Sequence, residues 1–197
     1  MRGIDQTRIN FSLDGVPLNE PEDQGAYFSN YPDILNSLSK IQIQRGVGTS
    51  KNGVSSYAGS VQLFSPNLFD STKIGFGFGA GSYNSIRIFG EFNSGIKNKK
   101  AIYIRASQIF SQGYKYHSSN NSQSVFISSG LFYDKTNWKI NLLFGRQQNQ
   151  LAWLGVLDSL IKLDRKTNAN KNENDKFIQC LYQLQNKWQI NNNSILE

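Results

Sequence analysis

Hydrophobic and polar positions alternate along most of this chain, in two textures that meet near Ser65-Pro66-Asn67. Before that junction the alternating runs are short and set among irregular, acidic, glycine-bearing loops. Arg8–Leu13, Ile41–Arg45 and Ser60–Phe64 predict three short strands. Asp14-Gly15, with Pro17 just behind it, predicts a tight turn after the first strand, because both residue types tolerate the backbone such a turn needs. Pro32-Asp33-Ile34-Leu35-Asn36-Ser37-Leu38 predicts a short helix with proline in its first turn. Gly46 to Gly59, which holds Gly46, Gly48, Gly53 and Gly59, predicts a long loop.

After residue 67 the alternation is longer and more regular. In Lys73–Gly81 the residues Ile74, Phe76, Phe78 and Ala80 share one face, and glycines take much of the other. Ile86, Ile88 and Phe92 oppose Arg87, Glu91 and Asn93. Ile102, Ile104, Ala106 and Phe110 oppose Tyr103, Arg105 and Ser107. Val125–Tyr133, Trp138–Phe144 and Phe177–Asn186 continue the pattern, and Trp188 to Glu197 predicts the start of one more strand. Runs of about 9–11 residues with a dyad apolar period are the mark of a transmembrane barrel, whereas strands of soluble sheets average about 5–6. The connections support this. Ser94–Lys100, Asp134–Asn137 and Asn186–Lys187 are short to moderate, and Gln112–Gln123 and Gln147–Lys176 are long, falling on alternate ends as periplasmic turns and extracellular loops do; Ser82–Ser85 is short yet falls on the long-loop side, which such barrels permit. Trp138 and Trp188, beside short turns, suit an interfacial aromatic girdle.

Composition sharpens the picture. Glycine (17) outnumbers proline (4), and Phe (13) and Tyr (9) are abundant, as in all-β proteins. No run reaches the roughly 18 apolar residues of a spanning helix, and Met1 to Asn10 carries no signal-peptide core. The net charge of +7 is uneven: residues 1–66 hold five Lys/Arg and six Asp/Glu (−1), and residues 67–197 hold sixteen and eight (+8). The basic residues are scattered singly on no helix or RNA-binding motif, so they read as solvated loops and a charged lumen, with no nucleic acid implied. The lone cysteine Cys180 and lone histidine His117 leave no catalytic residues, no metal site and no cofactor to propose. Glycines 46–53 lack the Lys-Ser/Thr of a phosphate-binding loop.

Several motifs then occur in order: Leu13-Asp14-Gly15-Val16-Pro17, Tyr31-Pro32-Asp33, Ile41-Gln42-Ile43-Gln44-Arg45-Gly46, Gly48 through Gly53, and Tyr57-Ala58-Gly59-Ser60-Val61-Gln62-Leu63. This series resembles the plug domain of TonB-dependent outer-membrane receptors, particularly the Bacteroidetes type. Ala58-Gly59 stands where Gly-Gly is usual, and Lys40 to Gln44 lacks the common acidic residues. Gln150–Val156 and Asp164–Asn168 look similar to an early extracellular loop of that family.

The resemblance implies an all-β fold: a plug domain with a small β-sheet, here its C-terminal part at 1–66, followed by part of a large antiparallel transmembrane β-barrel at 67–197. Such barrels close with about 22 strands, so the chain is expected to be a piece of a longer protein. Asp14, Gly15, Pro17, Arg45, Gly46, Gly53 and Gly59 would be the plug's structural motif, Arg45 lying inside the barrel against lumen carboxylates. Tyr114, Tyr116, His117 and Trp153 are candidate ligand-facing loop residues.

The implied function is energised uptake of a scarce or large ligand, such as an iron–siderophore complex, across the Gram-negative outer membrane. The implied partners are TonB, through an N-terminal box missing from this chain, outer-membrane lipid, and a SusD-like lipoprotein where the ligand is a glycan. A soluble or surface-attached β-sandwich binding module is the alternative reading.

Overall fold

In a computed structural model, residues 5–46, 56–191 and 193–196 are described. The chain divides into two compact units, Met1–Ser29 with Ile34–Asn67, and Asn30–Asp33 with Leu68–Glu197.

The first unit holds a four-stranded mixed sheet in the order β2-β1-β4-β3. Its strands are β1 (Ile9–Leu13), β2 (Val16–Pro17), β3 (Lys40–Arg45) and β4 (Gly59–Phe64). Asp14 (φ 48°) and Gly15 (φ 86°) are both left-handed, the turn that matches the twist of a two-residue hairpin. Asp14 also accepts from Ser65 N (3.0 Å) and Ser65 Oγ (2.7 Å), so one side chain closes the hairpin and ties it to the end of β4. The three short strands predicted from the sequence thus pair in one sheet, with β1 parallel and β3 antiparallel to β4.

Ile41, Ile43, Val61 and Leu63 share a face, as their register (Ile41↔Leu63, Ile43↔Val61) requires. They do not form a common core. Leu63 and its β1 partner Leu13 are buried, whereas Ile41 and Ile43 are exposed, because β3 is an edge strand with a neighbour on one side only.

The second unit is an antiparallel sheet in strict sequence order, β5 to β11. The strands are β5 (Lys73–Gly81), β6 (Ser85–Asn93), β7 (Lys100–Ser111), β8 (Asn120–Phe132), β9 (Thr136–Gln150), β10 (Asn174–Asn191) and β11 (Ser194–Leu196). Rows of side chains run straight across it; Ile74, Phe92, Ile104, Ile127, Leu142 and Tyr182 form one such row.

The two faces are inverted relative to a soluble sheet. Tyr103, Arg105, Ser122, Ser124, Ser128, Asn141, Gln147 and Gln183 are buried, with Phe126 and Leu143 among them, while Ile74, Phe76, Phe78, Ile88, Phe144, Ile178 and Leu184 on the other face are exposed. On the buried face Ser128 Oγ donates to Asn141 (2.7 Å), which donates to Gln183 (2.8 Å).

Three expectations are corrected. No turn falls at Asn186–Lys187: β10 runs through it, and Trp188 pairs with Thr136 on one side and Leu196 on the other. The long strands extend well into segments expected to be loops, since β8 starts at Asn120 and β9 ends at Gln150. Amide side chains carry the ladder there: Gln123 donates to Gln108 (2.8 Å) and Asn120 to Asn149. Only Ile34–Ser37 is helical in the Pro32–Leu38 stretch, as a single 3₁₀ turn, because Asp33 is left-handed (φ 58°) and detaches Pro32 from it.

Candidate functional site

Two buried, oppositely charged side chains, Asp33 and Arg105, meet on the buried face of the large sheet, and the sequence builds that place from a glycine. β5 has glycine at 75, 77, 79 and 81, and Gly77 stands opposite Phe89 of β6. A Cβ at Gly77 would lie 2.1 Å from Phe89 Cε1, so the absent side chain is what lets the ring lie down across β5. Two guanidinium groups rest near that ring, Arg105 at 4.7 Å and Arg87 at 5.2 Å from its centroid, where the ring quadrupole attracts cations.

Both arginines reach Asp33. Arg105 Nη1 donates to Asp33 Oδ2 at 2.7 Å, and Arg87 Nη2 spans both carboxylate oxygens at 3.0 and 3.3 Å. The Asp33 and Arg105 side chains are 3% and 2% exposed, and Arg87 is 35% exposed. A buried carboxylate needs such pairing to remain charged. Beside it, Glu91 takes Lys73 (2.7 Å) and Tyr103 Oη (3.2 Å). Pro32 packs on Gly145, where a Cβ would meet Pro32 Cδ at 2.7 Å. Two buried polar atoms, Arg87 Nε and Ser107 Oγ, have no partner among the described residues; Ser107 is the register partner of Phe89.

A second constellation joins the loops at 112–119 and 151–173. The Asn168 amide donates to the carbonyls of Tyr116 (2.8 Å), His117 (2.9 Å) and Leu151 (2.9 Å). Asn170 N donates to Asn168 Oδ1 (3.0 Å), and Leu154 N to Asn170 Oδ1 (3.2 Å). Tyr116 N donates to Lys166 O (2.9 Å), and a hydrogen bond to the Asp164 carboxylate holds the Tyr116 phenol above its ordinary pKa. Tyr114 packs edge-on against Tyr83 (5.6 Å), and a ring nitrogen of His117 lies 3.3 Å from Glu173 O. Trp153 projects outward, 74% exposed. Tyr116 and His117 therefore belong to one hydrogen-bonded cluster, with Trp153 on the same long loop as its organiser.

Asp14 and Gly15 make the hairpin, and Pro17 pairs with Ser12. Gly46 (φ 76°) ends β3, its N–H donating to Ala58 O (3.1 Å). Gly59 begins β4 opposite Arg45. Arg45 is exposed and has no carboxylate partner among the described residues. Gly53 lies outside the described residues.

Sequence reasoning placed Arg87 and Arg105 on the polar face but missed their convergence on Asp33, which reads there only as part of a helix start. It also missed Asn168. Among the described residues no three His, Cys, Asp or Glu side chains are grouped to hold a metal, and no helix is long and apolar enough to cross a membrane.

No protein-family model matches the sequence, and no curated protein does. Solved structures do match. The siderophore receptor PiuA from Acinetobacter baumannii superposes with a TM-score of 0.76 over 98% of this chain and 28% of its own, at 14% identity. The ferric citrate transporter FecA gives 0.77 over 97% and 30%, at 16% identity. The ferric-catecholate import receptor Fiu from E. coli K12 gives 0.71 over 99% and 31%, also at 16%. The fold is that of a receptor plug followed by barrel strands. The chain spans less than a third of the length of these proteins.

Proposed function

We propose that this chain is part of an outer-membrane receptor that imports a scarce or large ligand, with ferric siderophores as the ligand class. Residues 1–66 would be the rear of its plug and 67–197 its first barrel strands. The observation that carries the reading is the inverted sheet: a hydrogen-bonded polar face buried, and a continuous apolar face exposed. Water would penalise that apolar area, whereas lipid accommodates it. A soluble β-sandwich has the opposite requirement, since its apolar faces must meet each other.

The likeness in fold to siderophore and ferric citrate receptors supports transport without covalent chemistry, with TonB as the energising partner and the loops at 112–119 and 151–173 facing the medium. A Bacteroidetes-type receptor partnered by a SusD-like lipoprotein would import a glycan instead.

The test is deletion of the gene in its host, followed by uptake of radiolabelled ferric siderophores with and without a proton-motive force. Energy-dependent uptake that falls on deletion and returns on complementation supports the proposal. Unchanged uptake of every ferric siderophore and glycan tried, with the protein absent from the outer-membrane fraction, would overturn it.

A further inference from the structure

We infer that the outward face of the large sheet carries a docking site for a membrane lipid whose headgroup is a phosphate monoester, a reading that rests on the sheet being part of an outer-membrane barrel. At this site one lipid would be held in preference to its neighbours.

Three observations carry it. First, the apolar face is not flat. Phe76, Gly90, Ala106, Val125, Phe144 and Cys180 form one row across β5 to β10. The two small residues stand side by side between larger ones, and a hollow of about 370 Å³ opens over them. Ile88, Val125 and Phe144 wall it. Such walls suit a hydrocarbon chain, and a chain seated in a hollow gains contacts that one lying on a flat surface lacks.

Second, the hollow ends in polar groups on the side of the long loops. Gln108 and Gln123 close it there, Gln123 donating to Gln108 (2.8 Å) and Gln108 to Asn121 (2.5 Å). Their row continues into Arg146. Lys176 faces the same way one ladder step further on, opposite Gln148. Both cations are exposed. A lipid has the same order of parts, chain then headgroup, so a chain in the hollow brings its phosphate level with Arg146 and Lys176.

Third, the charge on this face has one sign. β5 to β10 contain two carboxylates, Glu91 and Asp175. Glu91 stands in register with Gly75 and Arg105, and Asp175 with Asn149. Those positions alternate with the outward rows and so face the other way. Among the described residues neither Arg146 nor Lys176 makes an ion pair. Two such cations complement a phosphate monoester, which carries close to two negative charges near neutral pH. The planar guanidinium of Arg146 also matches two of its oxygens at once. A zwitterionic headgroup brings a cation of its own and matches less well.

The test labels Cys180, the single cysteine, with an environment-sensitive fluorophore; it is exposed on the outward face beside Phe144. The full chain is folded into phosphatidylcholine vesicles at low salt. They carry a small fraction of phosphatidic acid brominated on its acyl chains, or the same fraction of brominated phosphatidylcholine. Phosphatidic acid should quench the label at a lower fraction, by about fivefold for each cation. Arg146→Gln should cut the preference about fivefold, and adding Lys176→Gln should bring the two lipids to parity. Ala106→Leu, which fills the hollow, should weaken the preference with both cations in place. Raising the salt should weaken it too.

Equal quenching by the two lipids in the unsubstituted chain would overturn the inference and leave the barrel reading standing. A preference that survives in the doubly substituted chain, or one that Ala106→Leu leaves at full strength, would also overturn it. Quenching by neither lipid would overturn the barrel reading, and the lipid site with it.

Discussion

Phe89 occupies the volume that a side chain at residue 77 would need, with its Cε1 2.1 Å from the ideal Cβ position of Gly77. The glycine stripe of β5 is thus the floor on which the arginine pair is assembled. Gly77→Ala should push the ring off the sheet and separate it from Arg87 and Arg105, at an overpacking cost of about 1–3 kcal/mol. Tertiary aromatic circular dichroism and melting temperature would report it. By contrast Gly79→Ala, whose Cβ has Arg87 Cβ no nearer than 3.9 Å, should be nearly silent.

Removing one member of the buried ion pair leaves the other uncompensated. Arg105→Gln removes the more buried of the two guanidinium groups on Asp33, and should destabilise the chain by about 3–5 kcal/mol. Chemical denaturation in detergent would measure it. A loss equal to that of Arg87→Gln would mean that burial does not rank the two arginines.

The outward face sets a boundary that mutation can locate. Leu142 and Phe144 belong to the apolar rows, while Arg146 two residues on, level with Gln123 and Ile178, is an exposed native arginine. Leu142→Arg should cost about 2–4 kcal/mol of folding in lipid, and Gln123→Arg about 0–1 kcal/mol. Heat-modified gel mobility after reconstitution gives the folded fraction.

Asn168 should govern the loop cluster without touching the sheet. Asn168→Ala removes three hydrogen bonds to the carbonyls of Tyr116, His117 and Leu151, a local loss of about 1–3 kcal/mol. Amide exchange should quicken at 112–119 and 151–173 and stay slow in β7 to β10. The Tyr116 phenol adds a pH dependence. Its folded pKa is raised by Asp164, so its contribution is fully present below about pH 10 and is lost as pH climbs through the raised value. Tyr116→Phe should remove that alkaline transition.

What the sequence made legible was whatever depends on period or on turn chemistry. The strands β5 to β9 follow from alternation, and the hairpin of the first unit follows from Asp14-Gly15. Strand ends did not follow, because amides such as Gln108, Gln123 and Asn149 continue a ladder without any apolar signal. Nor did the exposure of Ile41 and Ile43, which depends on strand order rather than on composition. The charged cluster was half visible: Arg87 and Arg105 could be assigned a face. Their meeting with Asp33 joins positions more than fifty residues apart, through a left-handed backbone that no local pattern announces.

The central claim is that the exposed apolar face of the large sheet meets hydrocarbon, and the three tryptophans are placed to test it. Trp138 and Trp188 lie exposed on β9 and β10, and Trp153 on the long loop. Single-tryptophan variants of the protein, folded into vesicles of lipids brominated along their acyl chains, would be read by fluorescence quenching. The account predicts strong quenching of Trp138 and Trp188 by the brominated lipid, and quenching of Trp153 by aqueous iodide instead. Iodide quenching of all three, with brominated lipid having no effect on Trp138 or Trp188, would contradict it.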